Sequence, residues 1–146
     1  MNFTDLVNRR WFEAQQRIGL RPGALQLTWE ITDDYPHFKK ARGYAVCFHV
    51  DDNTCHLKFS TKMLRASPHR ADAIVRHELG HVLDFLVPST ELDRWAWQQG
   101  VQLPHTAERR ADALALAIWF EPIRYDRELV QSTRQGQDVR PAHLGL

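Results

Sequence analysis

The stretch His77–His81 reads His-Glu-Leu-Gly-His, which is the pattern H-E-x-x-H inside a longer segment. Apolar residues recur at helical spacing through residues 71–86 of that segment. Ser67 followed by Pro68 is a favourable helix start, and Pro88 is a favourable stop. The spacing therefore predicts one helix between Ser67 and Pro88, with the pentapeptide in its second half.

The two histidines of this pattern would lie one turn apart on one face of the helix, with Cβ atoms about 5–6 Å apart. Two imidazoles at that separation can take two corners of a zinc tetrahedron, in which Zn–N bonds are about 2.0–2.1 Å. Glu78 would lie beside the metal, where its carboxylate can deprotonate a water. The pattern predicts His77 and His81 as metal ligands and Glu78 as the general base.

A third ligand is expected on a later helix, because a zinc site for hydrolysis has three protein ligands and one open position. The last predicted helix, residues 107–120, carries Glu108 in its first turn, and we predict Glu108 as the third ligand. Asp112 follows one turn later, where it could accept the second ring N–H of a ligating histidine. His105, in the preceding loop, is the alternative third ligand. Small residues at positions 111, 113, 115 and 117 would let the two helices approach closely.

Amide hydrolysis also needs a group that stabilises the developing oxyanion. The candidates are Tyr125, His105 and Arg124, and the sequence does not choose among them; Tyr125 is the residue we predict for this role. The strand predicted at residues 55–60 directly precedes the central helix. We expect this strand to form a sheet edge that receives an extended peptide by strand addition.

The combination of H-E-x-x-H with E-x-x-x-D on a later helix resembles the gluzincin branch of the zincin metallopeptidases. The second motif, residues 108–115 with Pro122 downstream, is most similar to the ImmA/IrrE-like metallopeptidases. The layout of residues 41–44, 56–60 and 63–64 also resembles the SprT-like group, which usually supplies a histidine as third ligand; Glu108 departs from that. The resemblance covers residues 40–122.

This resemblance implies a zinc-dependent metalloendopeptidase with a zincin-like fold. ImmA/IrrE-like relatives typically cleave a repressor or another regulatory partner, which implies a specific protein or peptide substrate. The alternative is a zincin-fold binding or assembly module, part of a larger particle, that retains zinc with little turnover. The metzincin pattern is excluded because it would need Gly and His where Asp84 and Val87 stand.

The order of predicted elements is a helix, a strand at residues 25–31, a hairpin at residues 43–60 and then helices. This order predicts an α+β fold, in which a small antiparallel or mixed sheet packs on the H-E-x-x-H helix and on the second ligand-bearing helix. Length predicts a single domain over residues 1–125, followed by a polar C-terminal tail over residues 126–146.

The hairpin contains both cysteines of the chain. A loop at residues 51–54 would pair Val50 with Cys55 and Cys47 with Lys58. Because side chains alternate between the faces of a strand, this register places Cys55 on the apolar face and Cys47 on the opposite one. The sequence therefore predicts no disulfide here and disfavours a second metal site.

The net charge of +1 favours neither nucleic acid nor an anionic membrane as a partner. No apolar run approaches the roughly 20 residues of a membrane helix, and the first residues lack the features of a signal peptide. We therefore expect a cytoplasmic protein that does not bind DNA. The scattered arginines, among them Arg10, Arg17, Arg109 and Arg110, are predicted to lie on solvated helix faces.

Overall fold

The computed structural model describes residues 2–40 and 43–123 and has the predicted α+β architecture. The elements are α1 (Phe3–Ile18), β1 (Gln26–Ile31), β2 (Ala45–Asp51), β3 (Thr54–Phe59), α2 (Pro68–Leu86), α3 (Ser89–Gln98) and α4 (Ala107–Trp119). Arg124, Tyr125 and the predicted tail lie outside the described residues. Within the described part of the chain, none of the helices is long and apolar enough to cross a membrane.

The helix predicted around H-E-x-x-H is present as α2. The side chain of Ser67 caps its start by accepting a hydrogen bond from the Arg70 amide at 3.2 Å, and Pro68 is the first helical residue. The helix ends at Leu86, two residues before Pro88. The first helix is capped at its start by the side chain of Asn2 and ends at Gly19, which is in the left-handed conformation.

The sheet has three strands in the order β1-β3-β2, so β3 is the central strand. β3 pairs parallel with β1, where Trp29 is opposite Leu57, and antiparallel with β2. The prediction that residues 55–60 form a sheet edge is therefore wrong. β2 pairs with one side of β3, and β1, from an earlier part of the chain, pairs with the other. Among residues 2–40 and 43–123, no further strand pairs with β1 or β2, so these two strands form the edges of the sheet.

The predicted hairpin register is also wrong. A bulge between His49 and Asp51 shifts the pairing, so that Cys47 is opposite Leu57 and His49 is opposite Cys55. Cys47 consequently shares a face with Cys55, and both are buried thiols. Neither is cross-linked, in agreement with the prediction, although the two lie on the same side of the sheet.

The shared face of the sheet is apolar and is covered by helices. Leu57 and Phe59 of β3 pack in one core with Val7 of α1 and Leu79 of α2. A second core lies between the helices, where Leu83 of α2 packs against residues of α1, α3 and α4. α2 is thus buried between the sheet on one side and α4 on the other, which explains why His77 is only 1% exposed and His81 0%.

Strand β2 runs alongside α2 in the same direction. Tyr44, just before β2, lines a cavity with Ser67 and Arg70 at the start of α2. At the other end, the ring of His49 stacks on Phe85 with centroids 5.2 Å apart. The middle of β2 therefore lies beside the part of α2 that carries the H-E-x-x-H residues.

The prediction that the arginines lie on solvated faces is wrong for Arg10 and Arg110. Arg10 donates two hydrogen bonds to Asp72 of α2, at 2.8 and 3.0 Å, and so joins α1 to α2. Arg76, which is 1% exposed, donates to the same carboxylate at 3.1 Å. Arg110 is buried between three helices.

Candidate metal centre

Three side chains from two helices converge at the interface of α2 and α4. His77 and His81 extend from consecutive turns of α2, and Glu108 extends from the first turn of α4. His77 Nε2 lies 2.9 Å from His81 Nε2 and 3.2 Å from Glu108 Oε2, while His81 Nε2 lies 3.7 Å from Glu108 Oε1. This group could hold a metal ion.

The spacing of these atoms fits a tetrahedral ion. A regular tetrahedron with bonds of about 2.0–2.1 Å has edges of about 3.3–3.4 Å, and the three separations bracket that value. Glu108 Oε1 is buried and makes no hydrogen bond among the described residues. A buried carboxylate oxygen without a partner is costly, and a metal ion would satisfy it. The residues present therefore fit a metal ion, and their two nitrogens and one oxygen are donors that zinc accepts.

Asp112 lies behind the first histidine, as predicted. Its Oδ1 is 2.7 Å from His77 Nδ1. Since a carboxylate only accepts, the ring nitrogen carries the hydrogen and donates it. This bond fixes the orientation of the His77 ring and leaves Nε2 as the nitrogen that faces His81 and Glu108.

The residues of the converging group attract one another by charge. Burial alone would lower the pKa of His77, but its hydrogen bonds with Asp112 and Glu108 outweigh that effect and raise the pKa to about 10. Burial alone would raise the pKa of Glu108, but its hydrogen bond with His77 and the charge of that ring lower the pKa to about 2. Without a metal, a His77 imidazolium and a Glu108 carboxylate therefore form an ion pair at neutral pH.

The two shifts act on stability in opposite pH ranges. The contribution of His77 is complete below 6.5, its ordinary pKa, and is lost as the pH rises through about 10. The contribution of Glu108 is complete above 4.5, its ordinary pKa, and is lost as the pH falls through about 2. The metal-free pair stabilises the fold most between those two ordinary values. A metal ion must displace the proton of His77, so metal binding is favoured by rising pH.

The remaining predicted residues are placed as follows. Glu78 is 3% exposed and lies next to His77, whose pKa its charge helps to raise. His105 is exposed and does not belong to the converging group, so the alternative third ligand is not favoured over Glu108. Tyr125 and Arg124 are outside the described residues.

Gly80, inside the pentapeptide, sets the distance between the two ligand-bearing helices. A Cβ atom added at Gly80 would lie 2.5 Å from the carbonyl oxygen of Ala111 and 2.9 Å from its Cα. α4 therefore packs directly on the backbone of α2 at this point, which brings Glu108 and Asp112 to the histidines. The sequence signal for this contact is a glycine within a helical pattern, since such a residue often marks close packing.

Arg110 holds the start of α4 in place and was not identified from the sequence. Its guanidinium donates to Asp84 of α2 at 3.0 Å and to Asp93 of α3 at 2.9 Å. It also donates to the carbonyl of Pro104 at 3.3 Å. These contacts fix the turn that carries Glu108, because the two residues are only two positions apart. Asp84 stands where a metzincin would have glycine, and its role here is to bind this arginine.

Comparisons with known proteins provide no further assignment. Protein-family models, curated proteins and solved structures all yield no match to this chain. The chemistry of the site is therefore argued from its own geometry.

Proposed function

We propose that this chain is a zinc-dependent metalloendopeptidase of zincin-like architecture that hydrolyses a peptide bond in a specific protein substrate. The observation that carries the proposal is the convergence of His77, His81 and Glu108 on one point, with Glu78 buried in the same turn of α2. A purely structural zinc site usually has four protein ligands, whereas three ligands leave a position for a reacting group.

Each residue of the site has a distinct role in this proposal. Zinc held by the three ligands would supply a Lewis acid that polarises the substrate carbonyl and acidifies a water. Glu78 takes the proton from the attacking water and returns it to the leaving amine. Asp112 keeps the His77 ring in the ligating orientation through the 2.7 Å hydrogen bond.

The free edge of β2 is the best place for the substrate backbone. An extended peptide can add to an exposed strand through main-chain hydrogen bonds. β2 fulfils this condition because, in the part of the chain that the structure describes, β3 pairs with one of its sides and no strand pairs with the other. The middle of β2 also lies beside the histidines of α2. This assigns the peptide to β2 in place of the strand at residues 55–60.

The experiment compares the wild type with Glu78→Gln, both loaded with zinc, on casein as an unfolded protein substrate. Glu78→Gln keeps the size of the side chain and removes its basicity. We expect cleavage by the wild type and a rate at least about 100-fold lower in the variant, since general base catalysis contributes about that much.

The rival function is a binding or assembly module that retains zinc. Equal, negligible cleavage by zinc-loaded wild type and Glu78→Gln over several unfolded substrates would favour this module over the enzyme. A wild type that cleaves while the variant cleaves equally fast would also contradict the role of Glu78.

A further inference from the structure

A positively charged cavity lies beside the start of α2, away from the converging ligands. It has a volume of about 280 Å³ and is lined by Tyr44, Lys62, Arg65, Ala66, Ser67 and Arg70. Three of these six side chains are cationic, and none of the six is acidic. Such a cavity attracts an anionic group.

The charges of Lys62 and Arg65 are not neutralised by an ion pair with any described residue. The Lys62 ammonium donates to the backbone carbonyl of Lys40 at 2.6 Å and lies 5.1 Å from the centre of the Tyr44 ring. The charge of Asp33 acts on both cations, but its carboxylate accepts its hydrogen bonds from Thr61 and Ser60. Burial lowers the pKa of Lys62, the charge of Asp33 acts to raise it, and the nearby charge of Arg65 lowers it again. The net pKa is lowered, so Asp33 compensates the positive charge only in part.

The cavity lies on the same face of α2 as the first ligand. Arg70 precedes His77 by seven residues, which is close to two helical turns and an axial rise of about 10.5 Å. An extended peptide rises about 3.3 Å per residue, so that distance corresponds to about three substrate residues.

The direction of β2 decides on which side of the scissile bond the cavity lies. β2 begins directly after Tyr44, which lines the cavity, and continues past His49, which stacks on Phe85 beyond the second histidine. Antiparallel pairing is slightly more stable per residue than parallel pairing, so we take the peptide to pair antiparallel with β2. Such a peptide runs opposite to β2 and ends at the cavity. The residues that reach the cavity are those on the C-terminal side of the bond that is cut.

We propose that this cavity binds a carboxylate of the substrate two to four residues C-terminal to the scissile bond. The inference rests on the proposed function, because the position is counted from the metal centre. The carboxylate comes either from an Asp or Glu side chain or from the C-terminus of the substrate, and both offer the same planar anion to Lys62 and Arg65.

The first test maps the bonds cleaved in unfolded casein by mass spectrometry. The wild type is compared with Arg65→Glu and with Arg94→Glu, an equal charge reversal at an exposed position of α3 that does not line the cavity. We expect Asp and Glu to be enriched at the second to fourth positions after the cut in the wild type and in Arg94→Glu. Arg65→Glu should abolish that enrichment.

The second test measures binding without cleavage, by fluorescence anisotropy on zinc-loaded Glu78→Gln protein. Three labelled peptides are compared: one with an internal Glu and an amidated C-terminus, the same peptide with Gln, and the Gln peptide with a free C-terminus. We expect one carboxylate-bearing peptide to bind about tenfold more tightly than the neutral one, with the difference lost when Arg65→Glu is added. The peptide that gains identifies the source of the carboxylate.

The outcomes separate the two proposals. Cleavage without acidic enrichment, with enrichment only before the cut, or with enrichment unchanged in Arg65→Glu overturns the cavity assignment and leaves the peptidase intact. If no substrate is cleaved, the peptidase proposal fails, and the binding test decides the cavity alone. Equal affinities for all three peptides overturn it.

Discussion

Replacing Gly80 by alanine tests whether the contact of α2 with α4 builds the metal centre. The new Cβ would meet the Ala111 carbonyl oxygen at 2.5 Å, whereas ordinary contact begins near 3.4 Å. All three nearest atoms belong to the Ala111 backbone, so no side-chain rotation relieves the overlap. The helices must separate by about 0.9 Å, which carries Glu108 away from the histidines.

Two opposing effects set the size of the stability change. Alanine is favoured over glycine inside a helix by about 1 kcal/mol, while overpacking of a tight contact costs about 1–3 kcal/mol. We expect a net loss of about 1 kcal/mol in the metal-free protein, or a fall in Tm of about 3 °C. Metal affinity should suffer more, because metal–ligand distances tolerate only about 0.2 Å. We expect zinc to bind at least about tenfold more weakly.

The assay measures Tm without metal and zinc affinity by competition with a chelating dye. Gly23→Ala is the matched control: Gly23 lies in the turn before β1 with a φ of 81°, and a Cβ added there would meet nothing within 4 Å. Gly23→Ala should lower Tm by about as much as Gly80→Ala does, through backbone strain, and should leave the zinc affinity unchanged. Gly80→Ala protein that binds zinc as tightly as the wild type would refute the reasoning.

Two further predictions concern the residues around the ligands. Asp112→Asn should weaken zinc binding by about 10–100-fold, because the amide lacks the charge that holds the His77 ring. The control Asp52→Asn, in the hairpin loop, should bind zinc as tightly as the wild type. Equal zinc affinities of Asp112→Asn and the wild type in a chelator competition would contradict this role. Zinc binding at about pH 7.5 should release about one proton, since His77 with a pKa of about 10 is protonated in the metal-free site. Titration calorimetry in buffers of different ionisation enthalpy measures that proton, and binding heats that do not depend on the buffer would contradict the ion pair. The zinc-induced rise in Tm should also grow from about pH 5.5 to about pH 8.5.

Local patterns in the sequence were sufficient to predict the central helix and the side chains that converge beside it. The spacing of apolar residues, with Ser67 and Pro68 at one end, predicted α2 to within two residues. The same helical period placed Glu108 and Asp112 on one face of α4, and the structure brings both to His77. These features are local, because residues three and four apart are neighbours on a helix surface in any fold.

The sheet could not be predicted in the same way because its pairing depends on distant parts of the chain. β1 is a direct neighbour of β3 in the sheet, although β2 lies between them in the sequence. No residue near Leu57 indicates that β1 is its partner strand. The register failed for a different reason: the bulge between His49 and Asp51 adds one unpaired residue, and a shift of one position turns every side chain to the other face. Cys47 was misplaced for that reason alone.

The role of Arg110 in holding the start of α4 could not be predicted, because the sequence does not distinguish a buried arginine from a solvated one. Arg110 stands next to Arg109 in the chain, yet only Arg110 faces Asp84 and Asp93. Its partners belong to α2 and α3, so their convergence depends on how three helices pack. Helical spacing alone predicts which residues share a face but not which face is covered.

The most direct test of the three-ligand metal centre is the zinc content of purified, dialysed protein, measured by inductively coupled plasma mass spectrometry. The comparison includes Glu108→Ala and His105→Ala, because these residues were the two candidates for the third ligand. The account predicts about one zinc per chain in the wild type and in His105→Ala, and well below one in Glu108→Ala. Full zinc content in Glu108→Ala, or its loss in His105→Ala, would contradict the assignment of Glu108 as the third ligand.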